Sequence, residues 1–574
     1  MFTLTEATLV ASGILAILYL GYRAVLPKPI PGIPYNHDAT SKLLGDMPEM
    51  LGYVMRTKRM FCWLTSLTNR HQSPIVQAFI KPMSNPWVVV TDPFESQDIL
   101  LRRTKEFDRA SFFSDVLSGI IPMQHTQYRS DHAVFKDHRN LINHLMAPTF
   151  LNQISGPEVY NSVCTLVKLW QVKCDKAQGR PFEAHHDITY SALDGIFAAL
   201  FQVGESDSIT LQRLNTTSVY NPDLPNDIDT PVSFPDGKIP QIFEAMLTLT
   251  NSVMVTQLFP FPHLASLVHK RFPSMRRAIA TKETFVRNKI DEAVHRIEQL
   301  NDRNPRTAIH SVLLREKELA AKKSRPPAYH QRGIYDEFVG LVMAGHDTSA
   351  TTIAWGVKFL AFNPAPQTRL REELHAAIPA AVTEKRAPTY TELTQSHIPY
   401  LDAVVEEVLR LSNSIDFVVR VSLCDTTVLG HPIPKGTDVF LMANGAGFIE
   451  PNMASVSDEM RSPGARKASG RMLTGLWDDE GIGAFRPERW VTTDKETGKE
   501  TFDSLAGPTL AFGLGPRGCY GRRLALMSLR MQFAMIVWHF ELLQTPEGLS
   551  SFEGVQKFAR EPQQCFVRLK RAVC

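Results

Sequence analysis

Near its C-terminal end the chain reads Phe512-Gly513-Leu514-Gly515-Pro516-Arg517-Gly518-Cys519-Tyr520-Gly521 and then passes into the helix-forming run Arg522-Arg523-Leu524-Ala525-Leu526-Met527. No other stretch constrains the fold so closely. A cysteine stands in a glycine-rich turn just ahead of a helix N-terminus, where the helix dipole and free backbone N–H groups favour an anion. The glycines let the backbone approach a flat ligand closely, and Arg517, two residues before the cysteine, can meet a carboxylate. Taken alone, such a cysteine is more often a small buried hydrophobe than a ligand, so the rest of the sequence has to decide.

The composition is that of an ordinary globular protein: 574 residues, 44% hydrophobic and 21% charged. No Gly/Ser-rich or charged linker divides the chain after about residue 40, which points to one large catalytic unit. Sixty-two basic against 59 acidic residues, a net charge of +3, give no reason to expect nucleic acid or a polyacidic partner. The seven cysteines at 62, 164, 174, 424, 519, 565 and 574 form no CxxC pair, a pattern suited to a reducing compartment.

From Ala7 to Tyr22 no residue is charged, and Leu9, Val10, Ile14, Leu15, Ile17, Leu18 and Leu20 dominate. Residues 1–26 are therefore expected to form a membrane-anchor helix, with Phe2 to Leu26 long enough to span if Arg23 snorkels. Arg23 and Lys28 follow the segment and only Glu6 precedes it, which favours a cytosolic body. The rival reading, a cleaved signal peptide, lacks both a basic n-region and a small-residue cleavage site before Pro27. Pro27, Pro29, Pro31 and Pro34 make residues 27–36 a stiff spacer.

Beyond it the pattern is mainly α with a small β region, the one strand-like stretch being Val418 to Leu441, and there is no internal repeat. Ala454 to Gly481 reads as a long surface loop. Ile334 to Phe362 is a long helical pattern with Gly345 in its middle, where the cost of about 1 kcal/mol relative to alanine invites a kink or the close approach of another group. Tyr400 to Leu411 has the apolar spacing of an amphipathic helix and carries Glu407 and Arg410 three residues apart.

Phe512, Gly515, Arg517, Cys519 and Gly521 match the F-x-x-G-x-R-x-C-x-G signature, and on these residues the chain resembles the cytochrome P450 family of haem-thiolate monooxygenases. Other matches follow in the family's order: Ala344-Gly345-His346-Asp347-Thr348-Ser349 resembles the oxygen-binding motif, Glu407-Val408-Leu409-Arg410 the E-x-x-R, and Phe485-Arg486-Pro487-Glu488-Arg489-Trp490 the P-E-R-F/W element. The resemblance implies the P450 fold over residues 37–574, with haem b between the central helix and the Cys519 loop. It implies Cys519 as axial thiolate, with Arg517, Arg420 and Arg139 on the propionates, and Thr348 and Asp347 as proton donors or relays. His346 occupies the motif's variable position and has no role in the chemistry. Glu407, Arg410 and Arg489 are implied to form a buried charge triad that supports the cysteine loop.

Two departures stand out. Phe135 replaces the tryptophan of W-x-x-x-R ahead of Arg139, removing an indole donor, and some thirty residues, 452–483, intervene before the P-E-R-W element. Thr348 is expected to bond the carbonyl of Ala344 and, with Gly345, to loosen the helix into an oxygen pocket. The resemblance, closest to microsomal, filamentous-fungal members, implies oxidation of an apolar small molecule in secondary metabolism at the endoplasmic reticulum. NADPH-cytochrome P450 reductase and cytochrome b5 would be partners, since no dinucleotide or flavin fingerprint is present. A haem-thiolate isomerase, dehydratase or peroxide-using enzyme is the alternative. The substrate pocket is expected from Ser111 to Gln127, Val203 to Leu258 and Ile415 to Val419, with Phe417 and Val418 near the iron.

Overall fold

The computed structural model describes residues 4–572 apart from 203, 205, 206, 260, 454, 455, 468, 469, 471 and 472. Phe2, Val203, Ala454 and Cys574, each part of a sequence-based expectation, therefore lie outside the described residues. Two compact units emerge, one made of Met1–Ala110, Leu258–Pro262 and Asp416–Leu473, the other of Ser111–Gln257, His263–Ile415 and Thr474–Cys574.

In the first unit the segment expected as an anchor folds as the helix Leu4–Val25. Ile14, Leu15, Ile17, Leu18 and Leu20 of this helix are exposed. Among the described residues no helix is long and apolar enough to cross a membrane. The proline-rich segment, expected as a stiff spacer, is also tied to the sheet. Gln77 on the strand Ile75–Ala78 accepts the N–H of Ile30 (2.8 Å) and donates to the carbonyls of Ile30 (2.9 Å) and Ile33 (2.7 Å), and Ile30 and Ile33 are buried. Prolines keep the neighbouring residues out of helix or sheet, and one buried amide side chain satisfies the backbone groups of Ile30 and Ile33 left free there.

That strand forms one edge of a five-stranded sheet in the order Ile75–Ala78, Trp87–Val90, Asp438–Met442, Phe417–Ser422, Phe107–Arg109. All its pairings are antiparallel except Trp87–Val90 with Asp438–Met442. The strand-like reading of Val418 to Leu441 holds, but the sheet around it was not legible. Ile75–Ala78 and Trp87–Val90 are buried at every position, so they show no polar–apolar alternation. The hairpin Thr426–Val428/His431–Ile433 turns through Leu429 and Gly430, both at positive φ (47° and 77°), the conformation of a two-residue hairpin loop. The part of the expected surface loop, Ala454 to Gly481, that lies in this unit is irregular where it is described, yet it is not simply surface. Arg461 is buried, forks onto both carboxylate oxygens of Asp92, and its neighbour Ser462 donates its N–H to Glu95 (2.8 Å).

The second unit is built around the helix Arg332–Phe362, two residues longer at its start than the pattern from Ile334 predicts. Helices His185–Phe201, Pro399–Ser412 and Arg522–His539 pack against it. Gly345 causes no break. A Cβ there would stand 3.0 Å from Ile196 Cδ1, so the glycine admits the close approach of the helix His185–Phe201. Gly356 does the same for Phe533 of the helix that follows the cysteine loop. Short sheets, Phe540–Leu543 with Phe566–Arg571 and Phe182–Glu183, and the hairpin Gly554–Gln556/Arg560–Pro562, complete the unit.

Candidate active site

Cys519 lies where its sequence context puts it. The loop closes on itself through the N–H of Cys519, which donates to the carbonyl of Phe512 (2.7 Å), and through Gly518 to Gly515 (3.0 Å), with Gly513 (φ 58°) and Gly515 (φ 70°) in the left-handed region. The helix Arg522–His539 begins three residues later. The cysteine is exposed at its surface, yet the protein packed around it pushes its thiol up from the ordinary value. The backbone N–H groups of Gly521 and Arg522 and the charges of Arg522 and Arg139 pull it part of the way back. Among the described residues no group of three or more His, Cys, Asp or Glu side chains could hold a metal ion.

The central helix supplies the second part of the site. Val342, Met343, His346 and Ala350 are buried, but Ala344 between them is exposed and Gly345, Asp347, Thr348 and Ser349 are partly accessible, so an accessible strip runs along a helix otherwise buried in its unit. Thr348 Oγ1 donates to the carbonyl of Ala344 (2.7 Å), as expected, although the helix runs unbroken through this turn. Asp347 Oδ2 accepts the N–H of Ala559 (3.0 Å); burial pushes its carboxyl up, and the neighbouring His346 and that N–H only partly offset the effect. His346 turns away: its Nδ1 is 2.7 Å from the carbonyl of Val342, burial lowers its affinity for a proton, and among the described residues its Nε2 meets no partner.

Two of the three arginines expected at the propionates lie over aromatic rings. Arg517 lies 4.1 Å over Phe135 and Arg139 lies 4.7 Å over Tyr520, whose hydroxyl donates to the carbonyl of Ile142. The departure at Phe135 thus removes an indole donor but leaves a ring face that carries a cation. Arg420 lies in the first unit, buried on the strand Phe417–Ser422, where its Nη1 donates to the carbonyl of Val419 (2.9 Å). Phe417, expected near the iron, packs on Phe61 and Phe440 within that unit, with centroids 4.1 and 5.2 Å away.

Glu407, Arg410 and Arg489 come together as expected. Glu407 is fully buried and accepts from Arg410 Nε (2.9 Å) and Nη2 (2.8 Å), from Arg489 Nε (3.1 Å), from the backbone N–H of Arg486 (2.9 Å) and from Trp490 Nε1 (2.9 Å). The part of Trp490 was visible in the sequence only as the last letter of its motif. Another centre was missed altogether. Glu337, buried on the central helix, lies 2.7 Å from His125 Nδ1 and 2.8 Å from His138 Nδ1 and accepts the N–H of His125 (2.6 Å). Burial would raise its carboxyl, but the two imidazoles outweigh that and hold it below the ordinary range. A lone glutamate at a core position of a helix gives no pattern that could have revealed it.

The family model described as Cytochrome P450 matches residues 50–447 and 483–567, leaving out nearly the same stretch that stands out as an insertion. Cytochrome P450 monooxygenase TRI13 of Fusarium sporotrichioides is 35% identical over 96% of this chain and 97% of its own length. Cytochrome P450 monooxygenase xilC of Penicillium rubens is 32% identical over 99% and 96%. A third relative, the Hps1-dma1 cluster cytochrome P450 monooxygenase cyp3.1 of Dothistroma septosporum, is 36% identical over 46% of this chain and 86% of its own length. With the cysteine loop, the accessible strip on the central helix and the charge triad all in one unit, these matches establish that the chain belongs to the cytochrome P450 family of haem-thiolate monooxygenases.

Proposed function

We propose that Cys519 is the axial thiolate of haem b and that the protein oxidises an apolar small molecule of secondary metabolism. Its electrons would come from NADPH through a separate reductase, with cytochrome b5 as a further donor. The observation that carries this reading is the combination, within one unit, of an accessible cysteine sulfur held by backbone N–H groups at a helix N-terminus and an accessible strip on an otherwise buried helix. Bound there, haem supplies reductive activation of dioxygen and insertion of one oxygen atom into the substrate. The chain's residues do the rest. The N–H groups of Gly521 and Arg522 steady the charge on sulfur, and Phe512, Gly515 and Gly521 shape the loop. Arg517 and Arg139, presented on ring faces, meet carboxylates. Asp347, its carboxyl pushed up by burial, holds a proton more readily than a free aspartate, and Thr348, fixed on Ala344, passes a proton at its hydroxyl.

Reducing the purified protein under carbon monoxide should give the strongly red-shifted Soret band of thiolate ligation. A Cys519→His protein that kept this band would overturn the assignment. Turnover that needs neither NADPH nor a reductase would move the protein to the isomerase, dehydratase or peroxide-using class. Titration with candidate substrates, read by the haem spin-state shift, identifies the molecule. The reading includes attachment of Leu4–Val25 to the endoplasmic reticulum membrane with the catalytic part cytosolic, supported by the exposed apolar side chains from Ile14 to Leu20. Loss of vesicle co-flotation when residues 1–26 are removed tests it.

A further inference from the structure

Residues 448–482 fall between the two family-matched stretches, and the part from Thr474 onward belongs to the same unit as Cys519. We infer that Trp477 in this segment is a positioning residue for the cysteine loop, its indole covering both guanidinium groups of the charge triad and tying down the chain that enters the loop. The inference rests on the reading of Cys519 as iron ligand and of Glu407, Arg410 and Arg489 as support for its loop.

Trp477 is 5% exposed. Its ring lies 5.4 Å from Arg410 Cζ and 5.5 Å from Arg489 Cζ, so one indole serves two cations. Those cations share a single buried carboxylate, Glu407, and the electron-rich ring face takes up part of the excess positive charge. The ring also packs edge-on against Trp490, with centroids 4.7 Å apart at 67°, and Trp490 in turn donates to Glu407. The same segment gives carbonyls to the triad's edge: Glu480 accepts from Arg486 (3.0 Å) and Gly481 from Arg489 (3.1 Å).

The other edge of the indole faces the loop. Nε1 donates to the carbonyl of Pro508 (2.9 Å), and Gly475 donates its N–H to Leu505 (2.8 Å). A Cβ on Gly507 would collide with the indole, so the contact admits only glycine. Four residues beyond Pro508 is Phe512, whose carbonyl holds the N–H of Cys519. The route from Glu407 through Trp477 and Pro508 to Cys519 thus consists of direct contacts joined by a short run of chain. A segment outside the family match supplies its central link.

The holoprotein is compared as wild type, Trp477→Leu, Trp477→Phe and Trp170→Phe. Trp477→Leu removes the ring face and the N–H, and should lose most of its haem, with the remainder showing a reduced-carbon monoxide band displaced from the thiolate position. Trp477→Phe keeps a ring face for the arginines and loses only the tie to Pro508. It should bind haem fully but lose the red-shifted band several-fold faster at fixed temperature. Trp170→Phe deletes the same kind of indole hydrogen bond, here to Asp187 (3.1 Å), away from the loop, and should leave the band's persistence unchanged. Should Trp477→Leu not fold, Trp477→Phe decides. The inference is overturned if the Trp477 variants match wild type in haem content and band persistence, or if Trp170→Phe accelerates the loss equally. The underlying reading fails separately, if Cys519→His keeps the band or Glu407→Gln keeps its haem.

Discussion

Glu407→Gln changes one atom type in the most crowded hydrogen-bonding position of the protein. Oε1 of the carboxylate accepts from Arg410 Nη2, Arg486 N and Arg489 Nε, and Oε2 accepts from Arg410 Nε and Trp490 Nε1. Glutamine has one acceptor oxygen, so whichever way the amide is turned its NH2 faces at least two donors, the two on Oε2 both now at 2.9 Å. Two buried donors left unsatisfied cost about 1–3 kcal/mol each. The two guanidinium groups, with side chains 1% and 8% exposed, would also lose their counter-charge. Breaking a buried ion pair by removing one partner costs about 3–5 kcal/mol, and we expect a loss in that range. That is a large part of the ~5–15 kcal/mol that holds a typical domain together. Urea unfolding of the holoprotein gives the difference, and haem content on the same samples ties it to the cysteine loop. A second protein, Glu407→Gln/Arg410→Met, should recover part of the loss because one uncompensated cation is gone. A loss below about 1 kcal/mol for the single variant would refute the argument, since it would mean that solvent reaches the triad.

Glu406 makes stability depend on pH. Burial, with Asp402 adding to it and Arg522 opposing, pushes its carboxyl up to about 7 from 4.5. A group whose folded pKa is raised contributes stability that is complete below the unfolded value and is lost as pH rises through the folded one. Wild type should therefore lose up to about 3 kcal/mol between pH 4.5 and pH 8 from this group. Glu406→Gln should lack that contribution, so chemical unfolding of the two proteins at pH 5 and pH 8 would contradict the assignment if their difference did not change with pH. Thr348→Ala removes the hydroxyl held on Ala344, and product formed per NADPH oxidised should fall by about tenfold or more while substrate still shifts the haem spin state. Phe135→Leu takes away the ring beneath Arg517 and should speed haem transfer to an acceptor protein, whereas Phe135→Trp should not.

The chemistry of this protein was more legible in its sequence than its architecture. Cys519, Thr348, Glu407, Arg410 and Arg489 sit in short strings whose residues touch each other directly or across one helical turn, so spacing along the chain already carries the geometry. The central helix was found within two residues because a long buried helix leaves a periodic trace. Trp87–Val90 left none, because a strand buried on both faces looks like any apolar run, and its partner Asp438–Met442 lies some 350 residues away. Trp477 and Arg461 were hidden for a different reason. They stand in polar, turn-rich surroundings that describe the segment correctly as irregular, while the buried side chain in each case owes its place to distant partners, Pro508 and Asp92.

The clasp of Gln77 on the proline-rich segment bears on how the N-terminal helix can be handled. Tension applied to Leu4–Val25 is delivered through Ile30 and Ile33 into the edge strand of the five-stranded sheet instead of being dissipated in a swivel. A cut at residue 26 leaves that load path intact and the edge strand covered. A cut at residue 36 strips away two buried isoleucines, leaves the Gln77 amide facing water and opens the unprotected rim of a sheet, the kind of surface along which chains adhere to one another. The ten residues between those two cuts are the selvage of the sheet, woven in to keep its margin from fraying.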